Sequence, residues 1–206
     1  MTGWEFGLVY LAWLVGGASP GPATLALAST GMTRGRRPAL ALALGILAGS
    51  ASWAFAAALG FGAAMAANAW LAESLRVAGA LYILWLAFKS LRSSLSPGAS
   101  KLGAAAPDDL RRAFLSGLVL HVANPKAIIS WAAVYAVVTP PGANPWALAS
   151  TGLILFTGSI LVFVGYALIF STHAAAKRYA SARRWFEAVF GILFGGAALT
   201  LLSSRP

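Results

Sequence analysis

GGASPGPATL, residues 16–25, places two prolines and three glycines in the middle of an apolar run. No charged side chain occurs between Gly7 and Gly31. A helix needs about 20 apolar residues to cross the hydrocarbon core of a bilayer, and this run supplies them. Proline and glycine loosen or break such a helix, and the carbonyls they free need partners that lipid does not offer. A half-helix that starts after Pro20 turns its positive end toward the protein interior, which suits a carboxylate. A packing kink is the plainer alternative.

The rest of the chain fits a lipid environment. Of 206 residues, 59% are hydrophobic and 10% charged, and the mean hydropathy is +0.77. A soluble domain of this length could not bury so much apolar surface, so the sequence reads as an integral membrane protein. The formal net charge of +10 does not indicate a nucleic-acid partner. Its basic residues fall in short clusters between apolar runs, as in cytoplasmic loops, and form no basic face interleaved with aromatics. With no cysteine and only His121 and His173 as imidazoles, neither a metal site nor thiol chemistry is expected. No cofactor is expected either. Met1–Tyr10 has no Lys or Arg, so the first run reads as a span and not as a signal peptide.

Apolar runs set against charges and turn residues predict six spans, at about 4–30, 39–66, 72–91, 112–138, 146–172 and 185–203. Glu73 and Arg76 lie in the first turn of the third, three residues apart on one face, where they can pair. Twelve of the fifteen basic residues fall on one side: Arg34 to Arg37, Lys89 to Arg112, and Lys177 to Arg184. Positive loops stay inside, which places both termini outside. Trp4, Trp70, Trp146 and Trp185 fall at the predicted interfaces as anchors. Trp13, Trp53, Trp85 and Trp131 fall within spans, and Trp53 and Trp131 are candidates to wall a cavity. Gly45 with Gly49, and Gly191 with Gly195, have the spacing that lets helices approach closely.

The linker at 93–106, rich in Ser, Gly and Ala, divides the chain into halves 1–92 and 107–206 of three spans each. An odd number of spans per half inverts the second half in the membrane. Asn124-Pro125-Lys126 interrupts the fourth span about where Pro20-Gly21-Pro22 interrupts the first, 105 residues earlier. Interrupted spans at matching positions of two inverted halves point to a transport site near the midplane. The expected fold is thus all-α, with six transmembrane helices as two inverted three-helix repeats whose first helices are broken.

Lys126 is the sharpest residue. It lies 14 residues from both Arg112 and Pro140, roughly 20 Å of helix from either end, beyond the reach of a snorkelling side chain. A central charge costs about 2.5–3.5 kcal/mol on insertion scales, so the position demands a partner. That partner is either the carbonyls freed near Pro20 or an anionic group of a substrate. Gly17-x-Ser19-x-Gly21 also matches the nucleophile pattern of serine hydrolases. However, Pro20 lacks the N–H that such an elbow uses as an oxyanion donor, and no Asp within a span orients His121. An intramembrane hydrolase using Ser19 is therefore the weaker alternative, beside a channel or scaffold without a substrate cycle.

Four stretches carry a family likeness: SPGPATLALASTGMTRGRRPALALALGILAGS at 19–50, LRVAGALYILWLAFKSLRS at 75–93, FLSGLVLHVANPKAIISW at 114–131 and RRWFEAVFGILFGG at 183–196. In order and spacing the chain resembles the LysE/RhtB family of bacterial amino-acid exporters. The resemblance implies an inner-membrane exporter of amino acids, driven by the proton-motive force, with a homodimer as its oligomer. Pro38, in RRPAL at 36–40, stands where many members have glycine. Under this reading the half-helix ends with Lys126 hold the substrate carboxylate, and Ser19 and Asn124 hydrogen-bond it. All five acids sit near span ends, so Glu73 and His121 are the candidates for the titrating group. Asp108 and Asp109 read as caps of span four.

Overall fold

The computed structural model describes residues 3–67, 104–138 and 144–172, with single positions scattered through 70–95 and 174–199. The described secondary structure is helical, without a strand among the described residues. Six continuous helices are described: α1 (Gly3–Ala18), α2 (Pro22–Arg34), α3 (Arg36–Ala67), α4 (Leu110–Val122), α5 (Pro125–Val138) and α6 (Pro145–Ile169). Glu73, the linker's 96–103 and most of the predicted third and sixth spans lie outside the described residues.

Pro20 and Pro22 divide the predicted first span, and Pro125 divides the fourth. The α1–α2 pair bends by 57° and the α4–α5 pair by 58°. Proline has no N–H for the preceding turn and is at home at the first helical position, so each break starts a new helix at Pro22 or Pro125. Two stretches, Arg36–Gly60 and Trp146–Ile169, are single helices long and apolar enough to cross a membrane, and each bent pair can be counted as one more. These four agree with the predicted first, second, fourth and fifth spans.

Local chemistry sets the boundaries. Asp109 caps α4 as expected, its side chain accepting from the Arg112 N–H at 2.8 Å. Asn144 does the same for α6 through Ala147 at 2.9 Å. Gly35 ends α2 with φ +82°, a left-handed conformation that favours glycine. Pro38 falls in the first turn of α3, where its missing N–H costs no hydrogen bond.

Glycines then bring helices into backbone contact. A Cβ on Gly45 would lie 1.9 Å from the Phe114 carbonyl oxygen, and one on Gly117 would lie 2.2 Å from that of Leu42. Gly45 faces the turn 114–118 and Gly49 the turn 118–122, so α3 and α4 run parallel. The α1–α6 pair is also parallel, with Gly158 against Trp13 and Gly17 against Val162. Gly191 lies against Leu91, and a Cβ on Gly195 would stand 4.0 Å from that of Ala87.

At one end of the molecule three elements converge. Arg34 pairs with Asp108 at 2.7 Å, the Ala106 N–H donates to Thr30 Oγ1 at 2.9 Å, and Gly31 lies against the backbone of Phe170. Large apolar side chains such as Phe55, Leu153 and Leu161 remain exposed on the outer faces of α3 and α6, as a lipid-facing surface requires. Trp4, Trp70, Trp146 and Trp185 are all exposed, consistent with interfacial anchors.

Candidate functional site

The two helix breaks meet. Lys126, in the first turn of α5, donates from Nζ to the Ser19 carbonyl at 3.1 Å and also contacts Ser19 Oγ. Of the two readings of this lysine, pairing with a carbonyl freed beside Pro20 is therefore observed. The ammonium lies beside Gly21, where a Cβ would stand in ordinary contact with it at 3.5 Å.

Following the freed carbonyls accounts for the break in detail. In an unbroken helix the residue at Pro20 would donate to Gly16 and the residue at Pro22 to Ala18. Instead, Ser19 Oγ donates to the Gly16 carbonyl at 2.9 Å, and the Tyr166 hydroxyl, from α6, donates to that of Ala18 at 2.6 Å. Thr24 closes the start of α2, accepting the Gly21 N–H at 2.9 Å while its hydroxyl faces the Ser19 carbonyl at 3.2 Å. At the second break Asn124 caps α5, its side chain accepting from the Lys126 N–H at 3.1 Å. That N–H would otherwise have served Val122, whose carbonyl accepts from Trp53 Nε1 of α3 at 3.3 Å.

A cavity of about 600 Å³ opens beside these contacts. Gly21 and Thr24 from the start of α2, and Asn124 and Lys126 from the start of α5, line it together with His121 and Trp131. The positive ends of two half-helices and an ammonium thus face one chamber, an arrangement that favours an anionic group. Its remaining walls are mostly apolar, with Ser50, Ser130 and Ser159 as polar points. Trp131 is 1% exposed, donates to Ser50 Oγ at 3.1 Å and packs against Trp13 at 4.5 Å between centroids.

Most candidate residues converge here. Ser19 and Pro20 hold the break behind Lys126 without lining the cavity, and Pro22 and Pro125 begin the two half-helices. Trp131 lines the cavity. Trp53 does not: its indole is spent on the Val122 carbonyl, outside the chamber. His121 is on the wall, 4% exposed, with its ring edge-on to Phe163 at 5.4 Å. Thr24, Tyr166 and Trp13 were missed. Thr24 had a signal, a hydroxyl three residues after the Gly21 that precedes a helix. Tyr166 had none, because its partner is 148 residues away.

The family follows from the whole length of the chain. The LysE type translocator family matches residues 14–205. The chain belongs to this family. The threonine efflux protein of Escherichia coli K12 is 31% identical over 203 residues, covering 96% of this chain and 97% of the relative. A second threonine efflux protein, from Salmonella typhi, is 30% identical over 206 residues, with 97% and 98% covered. The leucine efflux protein of Enterobacter sp. strain 638 is 32% identical over 213 residues, again with 97% and 98% covered. No solved structure matches. As a LysE-type translocator the chain is membrane-embedded and not an enzyme. The geometry at Ser19 agrees, since Pro20 has no N–H and that of Gly21 is engaged by Thr24, so neither neighbour serves an oxyanion.

Proposed function

We propose that this translocator exports a small zwitterionic amino acid across the bacterial inner membrane, by alternating access driven by the proton-motive force. The observation that carries the reading is the meeting of two half-helix starts at Lys126 inside one cavity. An ammonium offers three donors, so Lys126 can hold Ser19 and turn toward a substrate carboxylate. The positive dipole ends of α2 and α5 complete the anion site, with Asn124 beside them. Threonine and leucine, the cargoes in the names of the relatives, share the carboxylate and ammonium and differ in side chain.

The proposed frame is six spans in two inverted halves, 1–92 and 107–206, joined by a cytoplasmic linker at 93–106, with both termini outside. Three features support it. The two bends are nearly equal, at 57° and 58°. The parallel α3–α4 contact has a counterpart in the parallel α1–α6 contact, as a two-fold exchange of the halves requires. Each break is also closed by a side chain from the second span of the opposite half, Tyr166 into the first and Trp53 into the second. A homodimer is part of the same reading, on the family resemblance alone.

The test is efflux from proteoliposomes loaded with a panel of labelled amino acids. Saturable efflux of at least one, accelerated by a proton gradient, is expected. Flux that does not saturate would indicate a channel, and no flux of any amino acid would overturn the reading.

A further inference from the structure

One polar atom in the cavity wall stands apart. Nδ1 of His121 is buried and has no hydrogen-bond partner. Among the described residues it is the one buried side-chain nitrogen or oxygen without a partner, and an orphaned buried group costs about 1–3 kcal/mol. His121 is packed from two sides. Gly49 of α3 is so close that a Cβ there would fall 3.0 Å from that of His121, and Phe163 of α6 packs edge-on against the ring.

Charge near the ring is equally restricted. Toward the cavity α5 contributes Lys126, α3 Ser50, α6 Ser159 and Phe163, α2 Thr24 and α1 Trp13. Among the described residues on that wall, Lys126 and His121 are the titratable ones, and no carboxylate joins them. Of the described acids, Asp108 and Asp109 stand at the start of α4 and Glu5 in the first turn of α1.

We propose that His121 is the proton-binding site of the transporter, and that a proton on Nδ1 drives apart the packing of α3, α4 and α6 around the ring. An imidazolium donates from both nitrogens. In the described packing Nδ1–H would meet no acceptor, so protonation and this packing exclude each other. Opening the α3–α4–α6 contact exposes Nδ1 to water and relieves the conflict. The deprotonated ring, which can leave Nδ1 as an acceptor, permits closure. One titration thus biases a two-state packing, the link that a proton-driven cycle requires. This rests on the exporter reading, but it makes a claim about conformation that needs no substrate.

The chain has no native cysteine, so Ala133→Cys, on the buried cavity wall, is a clean reporter. Its reaction with a thiol reagent is measured in the purified protein and normalised at each pH to the same protein in denaturing detergent. The normalised rate should rise several-fold as pH falls from about 8 to about 4. The rise should vanish when His121→Gln or His121→Asn is added. A flat profile with His121 present overturns the proposal, as does an unchanged rise in either folded double variant. Exchange of labelled threonine and leucine in liposomes tests the exporter reading separately. Exchange with a flat reporter profile leaves that reading standing without His121 as its proton site.

Discussion

Lys126 shows how a single residue can be costly for insertion and still fixed by the fold. Its ammonium is held by Ser19 across 107 residues of sequence, and a charge-assisted hydrogen bond contributes about 1.5–3 kcal/mol. If the same ammonium receives the substrate carboxylate, Lys126→Met should lower substrate affinity by roughly one to two orders of magnitude. Binding measured by isothermal titration would register the loss, and unchanged affinity would make the lysine purely structural. Lys126→Arg should recover little, because a planar fork does not reproduce a compact ammonium beside Gly21. Tyr166→Phe tests the carbonyl accounting. It strips the donor from Ala18 and should destabilise the solubilised protein by about 1–3 kcal/mol. An unshifted thermal melt would mean that water replaces the hydroxyl.

Among the elements, the broken helices and the glycine-packed pair make different demands. Pro20→Ala supplies the N–H that proline withholds from the helical ladder and favours a straighter α1–α2. If the break forms the site, efflux at matched membrane expression should collapse although the protein still inserts; near-normal efflux would reduce the break to architecture. Gly117→Ala pushes a methyl into the Leu42 carbonyl and forces α3 from α4, at about 1–3 kcal/mol. Gly60→Ala, further along α3 where nothing stands within 4 Å, should be neutral or mildly stabilising. Equal melting temperatures for these two variants would contradict the close α3–α4 packing.

For the whole molecule, orientation is the property on which the export direction depends. Arg34, Asp108 and Phe170 gather at one end, and Asn144 begins the helix that finishes there. Cysteines introduced at Arg37 and Arg112 should therefore react with an impermeant thiol reagent only from the cytoplasm, and one at Asn144 only from outside. Labelling in the reverse pattern would invert the proposed topology.

Much of this was legible in the sequence because bilayer physics writes itself locally. Apolar length marked the spans, Pro20-Gly21-Pro22 and Pro125 marked the breaks, Asp109 marked a cap, and Lys126 stood out by its distance from any helix end. These are one-dimensional facts, set by helix rise and by the cost of charge in lipid. What only tertiary structure decided is who meets whom. Trp53 and Trp131 look alike in sequence, yet one serves the Val122 carbonyl and the other walls the cavity. The Ser19 carbonyl is taken by Lys126 and that of Ala18 by Tyr166. The same holds for His121, whose Nδ1 is buried without a partner in a helix that packs closely against α3 at Gly49. Such partnerships depend on how helices distant in sequence pack, and no periodicity within a helix records them.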